Sequence, residues 1–264
     1  MLIICNGVFK SGSTWLHAIV IEILRIKNIN ITDVSHKYTN NVEGPTSIVE
    51  SKLNDFLNNE DYENYYYINK SHYLREDTIS RTYPDSVVFL FTHRDIKDSI
   101  VSHFFHLKYK YRIISNFSLY YWLIGRFKAF EIVRFNKIYI YYFNKENFFP
   151  FSLLKNDFNN TAQRITKVLG LTSLTQDELE IIKEKTSLSN MRNEILRGNT
   201  KYYSTVRKSR SSLIRKGIED DHINYFSAGH LRDINKIHNF NTSYFFKFVY
   251  FVSFTLRRKL FNIE

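Results

Sequence analysis

The 264-residue chain holds one cysteine, three prolines and eight glycines, and each shortage excludes something. A lone thiol, Cys5, cannot build an internal disulfide framework and fits a reducing compartment, so a cytoplasmic location is expected. With so little proline and glycine, no stretch reads as a flexible linker, and one domain over residues 1–264 is expected. The opening "MLIICN" runs straight into a loop and has no basic n-region, no apolar h-region of useful length and no cleavage pattern, so no secretory leader is expected. Acidic residues are scarce as well: 26 Asp and Glu face 37 Lys and Arg, a formal charge of +11 that draws anionic ligands. The basic residues are scattered apart from Lys201 to Lys216, and helix-turn-helix, zinc-finger and RNA-binding signatures are missing, so nucleic acid is not the expected partner.

What is present begins with "GVFKSGSTWL", residues 7 to 16. A nucleotide-hydrolysing P-loop runs G-x-x-x-x-G-K-[ST], with its lysine directly after the second glycine. Gly7 and Gly12 keep the spacing and Thr14 keeps the hydroxyl, but Ser13 stands where the lysine belongs and Lys10 precedes Gly12. "LIICNGV" before it reads as a strand, and the helical spacing of apolar residues from Ser13 to Ile26 reads as a helix, giving strand, tight loop, helix. Successive N–H groups at such a helix start cradle an anion, and the hydroxyls of Ser11, Ser13 and Thr14 add donors. "YYYIN" (65–69), "VVFLF" (87–91) and "KIYIYYF" (137–143) read as further strands, Ile96 to Leu107 as a helix, and the aromatic stretch 117–135 as a buried helix. The expectation is an α/β fold with a central, mostly parallel sheet of about five strands flanked by helices, like that of P-loop NTPases. Ligands collect at the carboxyl ends of such strands, where the sequence puts Lys10, Lys70 with His72, and Arg94. No acidic strand end is present to hold Mg²⁺, which points to an anion handled without metal.

Taken together these residues resemble the cytosolic sulfotransferase family, which transfers a sulfuryl group from 3′-phosphoadenosine 5′-phosphosulfate (PAPS) and releases adenosine 3′,5′-bisphosphate (PAP). "FKSGSTW" is similar to the family's PKSGTTW loop, with Phe9 for proline and Ser13 for threonine. "RDIKDSIVSHFFH" (94–106) resembles the 3′-phosphate segment, and "LIRKGIEDDHINYF" (213–226) the C-terminal RKGxxGDWKxxF loop, with Asp220, His222 and Ile223 replacing its glycine, tryptophan and lysine. "NKSHY" (69–73) resembles the segment that carries the catalytic histidine. The resemblance spans residues 2 to about 226 and implies a metal-independent transferase. It implies His72 as general base, Lys10 on the leaving oxygen and Lys70 on the sulfuryl oxygens. The loop Lys10, Ser11, Gly12, Ser13 and Thr14 would hold the 5′ side, and Arg94, Ser102, Arg215, Lys216 and Gly217 the 3′-phosphate. Trp15, Tyr141, Thr186 and Leu188 would surround adenosine, Tyr141 through "YYFNKEN" (141–147) and the last two through "TSLSNM" (186–191).

For the acceptor the resemblance implies a small molecule, sulfated on a hydroxyl or on an amine or guanidinium-type nitrogen; a bacterial natural product is the family analogy. His36, Tyr73, His103, Phe104, Phe105, His106, Tyr109 and the 117–127 helix are candidates for its pocket. The polar, basic stretch from Arg197 to Arg215 reads as a lid that orders on nucleotide binding. The aromatic tail 243–260 is too short and interrupted to span a bilayer; packing on the domain is expected, with interfacial membrane contact through Arg257, Arg258 and Lys259 as the alternative. The family's dimer segment finds no match at 223–232, leaving the oligomeric state open. Rival readings are a Mg²⁺-dependent P-loop kinase or NTPase, a sulfotransferase of the glycan or tyrosyl-protein type, and a nonenzymatic nucleotide-binding protein.

Overall fold

A computed structural model describes residues 1–39, 47–111, 116–196 and 217–261 of the chain. β1 (Leu2–Gly7) is buried along its whole length. In chain order there follow α1 (Ser13–Ile26), α2 (Leu53–Asn59), β2 (Tyr67–Ser71), α3 (Glu76–Ile79), β3 (Val87–Thr92) and α4 (Ile96–Tyr111). Next come α5 (Phe117–Tyr120), a π-helical turn (Tyr121–Gly125) and α6 (Arg126–Tyr142). The last third is α7 (Phe151–Asn156), α8 (Phe158–Val168), α9 (Gln176–Lys185), α10 (Leu188–Leu196), α11 (Ala228–His238) and α12 (Tyr244–Phe261).

The sheet has the order β2-β1-β3, and both of its pairings are parallel. Alternation along the central strand assigns its side chains to two cores, as the two-residue period of a strand requires. Ile3 and Cys5 join Leu16, Ile19 and Ile23 of α1 with Ile165 of α8 and Ile182 of α9. Leu2 and Ile4 join Ile100 of α4, Ile132 and Phe135 of α6, and Ile234 of α11. Helices on both faces explain why β1 is a continuous apolar run.

The described residues thus contain three paired strands where about five were expected. Most of the expected strand at 137–143 is the last part of α6, which ends at Tyr142: Ile132, Val133, Phe135 and Tyr139 fall on helical spacing and are buried, while Ile140 and Tyr141 face outward. Its place beside β3 is taken by the irregular segment 147–151. Phe148 bridges Phe91 in parallel fashion, and the amides of Phe149 and Phe151 donate to the carbonyls of Phe91 (2.7 Å) and His93 (2.9 Å). Those bonds cover the edge of β3 without a regular ladder.

Candidate active site

The carboxyl ends of the three strands open into one cleft of about 290 Å³. After β1 the chain turns through Lys10, whose φ of 61° is left-handed, and Gly12, at φ 104°. A Cβ on Gly12 would lie 2.9 Å from the Phe151 ring, so both conformation and space require glycine there. Gly7 is as tightly placed, since a Cβ would stand 2.9 Å from the Thr92 carbonyl. The turn delivers the chain into the first turn of α1, where the amides of Ser13 and Thr14 precede the first helical bonds, from Trp15 and Leu16 to the Gly12 carbonyl (2.8 and 3.0 Å). Ser13 and Thr14 in that turn line the cleft, and Trp15 closes it with its ring edge-on to Phe151 at 5.5 Å between centroids.

β2 contributes Lys70, which lies within the strand rather than beyond it, and His72 directly after. His72 is held from both sides by Asn6 of β1. The Asn6 carboxamide oxygen accepts from the Ser71 hydroxyl (3.1 Å) and from the Tyr73 amide (2.9 Å). The Tyr139 hydroxyl donates to the Tyr73 carbonyl (2.9 Å) and also contacts the Asn6 amide. His72 itself is bonded through Nδ1 to the Gly7 carbonyl. A carbonyl only accepts, so Nδ1 carries the proton and Nε2 is the basic nitrogen. Burial, with the Lys70 charge second, pushes the imidazole pKa down to about 4, which makes it neutral at physiological pH.

β3 ends at Thr92, and Arg94 and Ser102 reach the cleft from the turn that follows and from α4. The Arg94 guanidinium lies 4.5 Å over the Phe151 ring and donates to the Ile218 carbonyl. Asp98, buried on α4, accepts from the amides of Asp220 (2.9 Å) and His222 (3.1 Å) and contacts His222 Nδ1 at 3.1 Å. This carboxylate therefore docks the loop that carries Gly217 onto the helix that carries Ser102. Asp95, Asp98 and His222 offer ligand atoms within 4.8 Å of one another, but these bonds and Arg94 at 3.8 Å already engage the Asp98 carboxylate. Asp220, standing where the related motif has glycine, has a left-handed φ of 60°. Gly217 (φ 63°) packs so closely on Leu188 that a Cβ would come within 2.1 Å of it.

Of the residues singled out in the sequence, the cleft thus gathers Lys10, Gly12, Ser13, Thr14, Trp15, Lys70, His72, Arg94, Ser102, Leu188 and Gly217. Its described lining contains no carboxylate. Ser11 does not line it: its side chain is turned inward and its hydroxyl has no partner among the described residues. Thr186 is buried at the end of α9, its hydroxyl spent on the Ile182 carbonyl, and Leu188 and Met191 form the wall instead. Tyr141 is a correction: because it lies on α6, its side chain is 80% exposed and it is not among the residues that line the cleft. Arg215, Lys216 and the expected lid 197–215 lie outside the described residues, as does the Tyr109 side chain. Of the acceptor-pocket candidates, His103 and His106 line the cleft, whereas Tyr73 and Phe104 are buried. Sequence reasoning missed Phe151, which packs on Gly12, Trp15 and Arg94, and Asn6, whose only signal was a polar residue inside an apolar strand.

A family model described as the sulfotransferase domain matches residues 2–245. The chain belongs to the sulfotransferase family. No curated protein matches this sulfotransferase by sequence. Among solved structures it is similar to mouse sulfotransferase SULT7A1 complexed with PAP, with a TM-score of 0.63 and 20% identity over 90% of this chain and 81% of that one. It is also similar to retinol dehydratase in complex with androsterone and PAP (TM-score 0.62) and with retinol and PAP (0.61). Each is 18% identical over 91% of this chain and 80% of that one. At such identity the likeness extends to the fold.

Proposed function

We propose that this sulfotransferase moves the sulfuryl group of PAPS onto a hydroxyl or a basic nitrogen of a small acceptor, with His72 as general base. The observation that carries the reading is that Lys10, Lys70 and His72 share one cleft with Arg94 and Ser102. The residues fit an adenosine bisphosphate. The helix start and the glycine at φ 104° form an anion cradle, Arg94 is oriented by the Phe151 ring, and the buried Trp15 indole N–H has no partner among the described residues. The donor supplies an activated sulfuryl group, and charge grows on its leaving oxygen.

Against that charge the lysines act as fixed cations, a role metal ions take in phosphoryl transfer. Lys10 stabilises the leaving oxygen and Lys70 the sulfuryl oxygens. Arg94 and Ser102 hold the 3′-phosphate, with Arg215 and Lys216 added by resemblance. The His72 Nδ1–H bond to Gly7 keeps the imidazole in the tautomer whose Nε2 accepts the acceptor's proton. Anionic charge brought beside Lys70 offsets the lysine's effect and raises the proton affinity of His72. Phe9, His103 and His106 line the same cleft, and an acceptor must reach His72, which supports a small, partly aromatic acceptor. Androsterone and retinol, bound by one of the solved relatives, are acceptor-sized alcohols in keeping with this.

Calorimetry with PAP, ATP and AMP in metal-free buffer tests the proposal. PAP is expected to bind best, and Arg94→Ala to weaken it by about 10- to 100-fold, the cost of a charge-assisted contact. Equal affinity for ATP, or a requirement for Mg²⁺, would restore the kinase reading.

A further inference from the structure

α12 presents two unlike faces. Phe246 stacks on Phe127 (4.9 Å between centroids, 4° between planes), and Tyr250 packs edge-on to Phe130. On the other side Tyr244, Phe245 and Phe248 are 91%, 76% and 65% exposed, and Phe251 and Val252 remain 45% and 41% exposed. These positions follow the helical repeat, so the aromatic rings form one stripe along the outside of the molecule. At the packed face, Arg126, paired with Asp233 (2.9 Å), lies over both Phe246 (4.7 Å) and Trp122 (5.3 Å), and Trp122 and Leu123 of the π-helical turn are themselves exposed.

The charge of this segment has one sign. From Asn239 to Ile263 the sequence has no Asp or Glu, while α12 includes Lys247, Arg257, Arg258 and Lys259. No described helix is long and apolar enough to cross a membrane. Exposed aromatic residues on a helix whose sequence carries Lys247 among them and Arg257, Arg258 and Lys259 after them, with no carboxylate of its own and too polar to insert, match the chemistry of an interfacial helix on an anionic lipid surface. A second copy of the chain fits less well, because a two-fold contact through this face sets each basic segment near its symmetry mate in a protein already carrying +11. We propose that α12 docks the enzyme peripherally on an anionic phospholipid bilayer, its aromatic stripe lying among the headgroups.

Vesicle co-sedimentation of the full chain tests this, with phosphatidylcholine vesicles containing or lacking phosphatidylserine. The expected result is at least about tenfold tighter binding to the anionic vesicles, weakened by added salt. Phe245→Ser with Phe248→Ser is expected to lower that binding about tenfold or more while leaving the thermal midpoint and PAP affinity unchanged, since neither ring is packed in the core. Equal binding to both vesicle types, no binding, or binding that the double variant retains overturns the proposal. A concentration-dependent dimer lost in the same variant overturns it in favour of a self-association surface. Because PAP affinity is read separately, failure here leaves the proposed reaction intact, and the reverse also holds.

Discussion

His17 makes a prediction that depends on no bound ligand. It sits on α1 with none of its side chain exposed, and neither ring nitrogen has a hydrogen-bond partner among the described residues. Burial, reinforced by the Lys70 charge, pushes its pKa down to about 3, against 6.5 for a free imidazole. A folded-state pKa below the unfolded value means that the unfolded chain binds the proton first. The contribution of neutral His17 to stability is therefore intact above pH 6.5 and declines as the pH falls toward 3. Between pH 7.5 and pH 5 the unfolded state gains about 2 kcal/mol of proton binding that the folded state does not share. Urea unfolding of the parent and of His17→Leu at both pH values isolates this term, because other histidines are common to both proteins. The variant is expected to lose about 2 kcal/mol less than the parent over that interval. It is also expected to gain about 1 kcal/mol or more at neutral pH, since two unsatisfied buried nitrogens are gone. Identical pH slopes would refute the idea that burial keeps this imidazole neutral.

His72→Ala should leave PAP affinity close to the parent's while cutting turnover by roughly 10²-fold or more, measured with any acceptor found by screening for the mass gain of a sulfuryl group. Asp98→Ala removes the acceptor for two amides and an imidazole, so calorimetric melting should show about 2–4 kcal/mol of lost stability, and PAP should bind more weakly as the Gly217 loop loses its anchor. Asp220→Gly relieves a left-handed backbone and should be neutral or stabilising by up to about 1 kcal/mol, whereas Asp220→Val should destabilise.

The part of the fold legible in the sequence is the part set by local rules. The boundaries of α1 follow from Gly12 at its start and from apolar periodicity, and the structure places them at Ser13 and Ile26. The three strands that lead to Lys10, His72 and Arg94 were visible as short apolar runs bounded by polar residues. The misread segment 137–143 shows the limit of such rules. Ile, Tyr and Phe there favour strands by intrinsic preference, but Tyr139 is needed on the inner face of a helix, where its hydroxyl meets Tyr73. Tertiary packing decided, and the place beside β3 went to residues 147–151, which no periodicity marked. The same holds in the cleft. Lys10, His72 and Arg94 were legible because their spacing is local to one strand end each, but Phe151 and Asn6 act through contacts across the chain, which spacing does not encode.

The docking of His222 and Asp220 onto Asp98 joins residues more than a hundred positions apart. Synthesis proceeds from the N-terminus, so the P-loop-like turn, both lysines and the imidazole leave the ribosome long before the loop that borders them. All three strands are synthesised by Thr92, yet the nucleotide cleft closes only when the last quarter of the protein arrives. Truncation between α10 and that loop would leave the pocket unfinished and would also strip Ile234 and Ile237 of α11 from the core that covers β1.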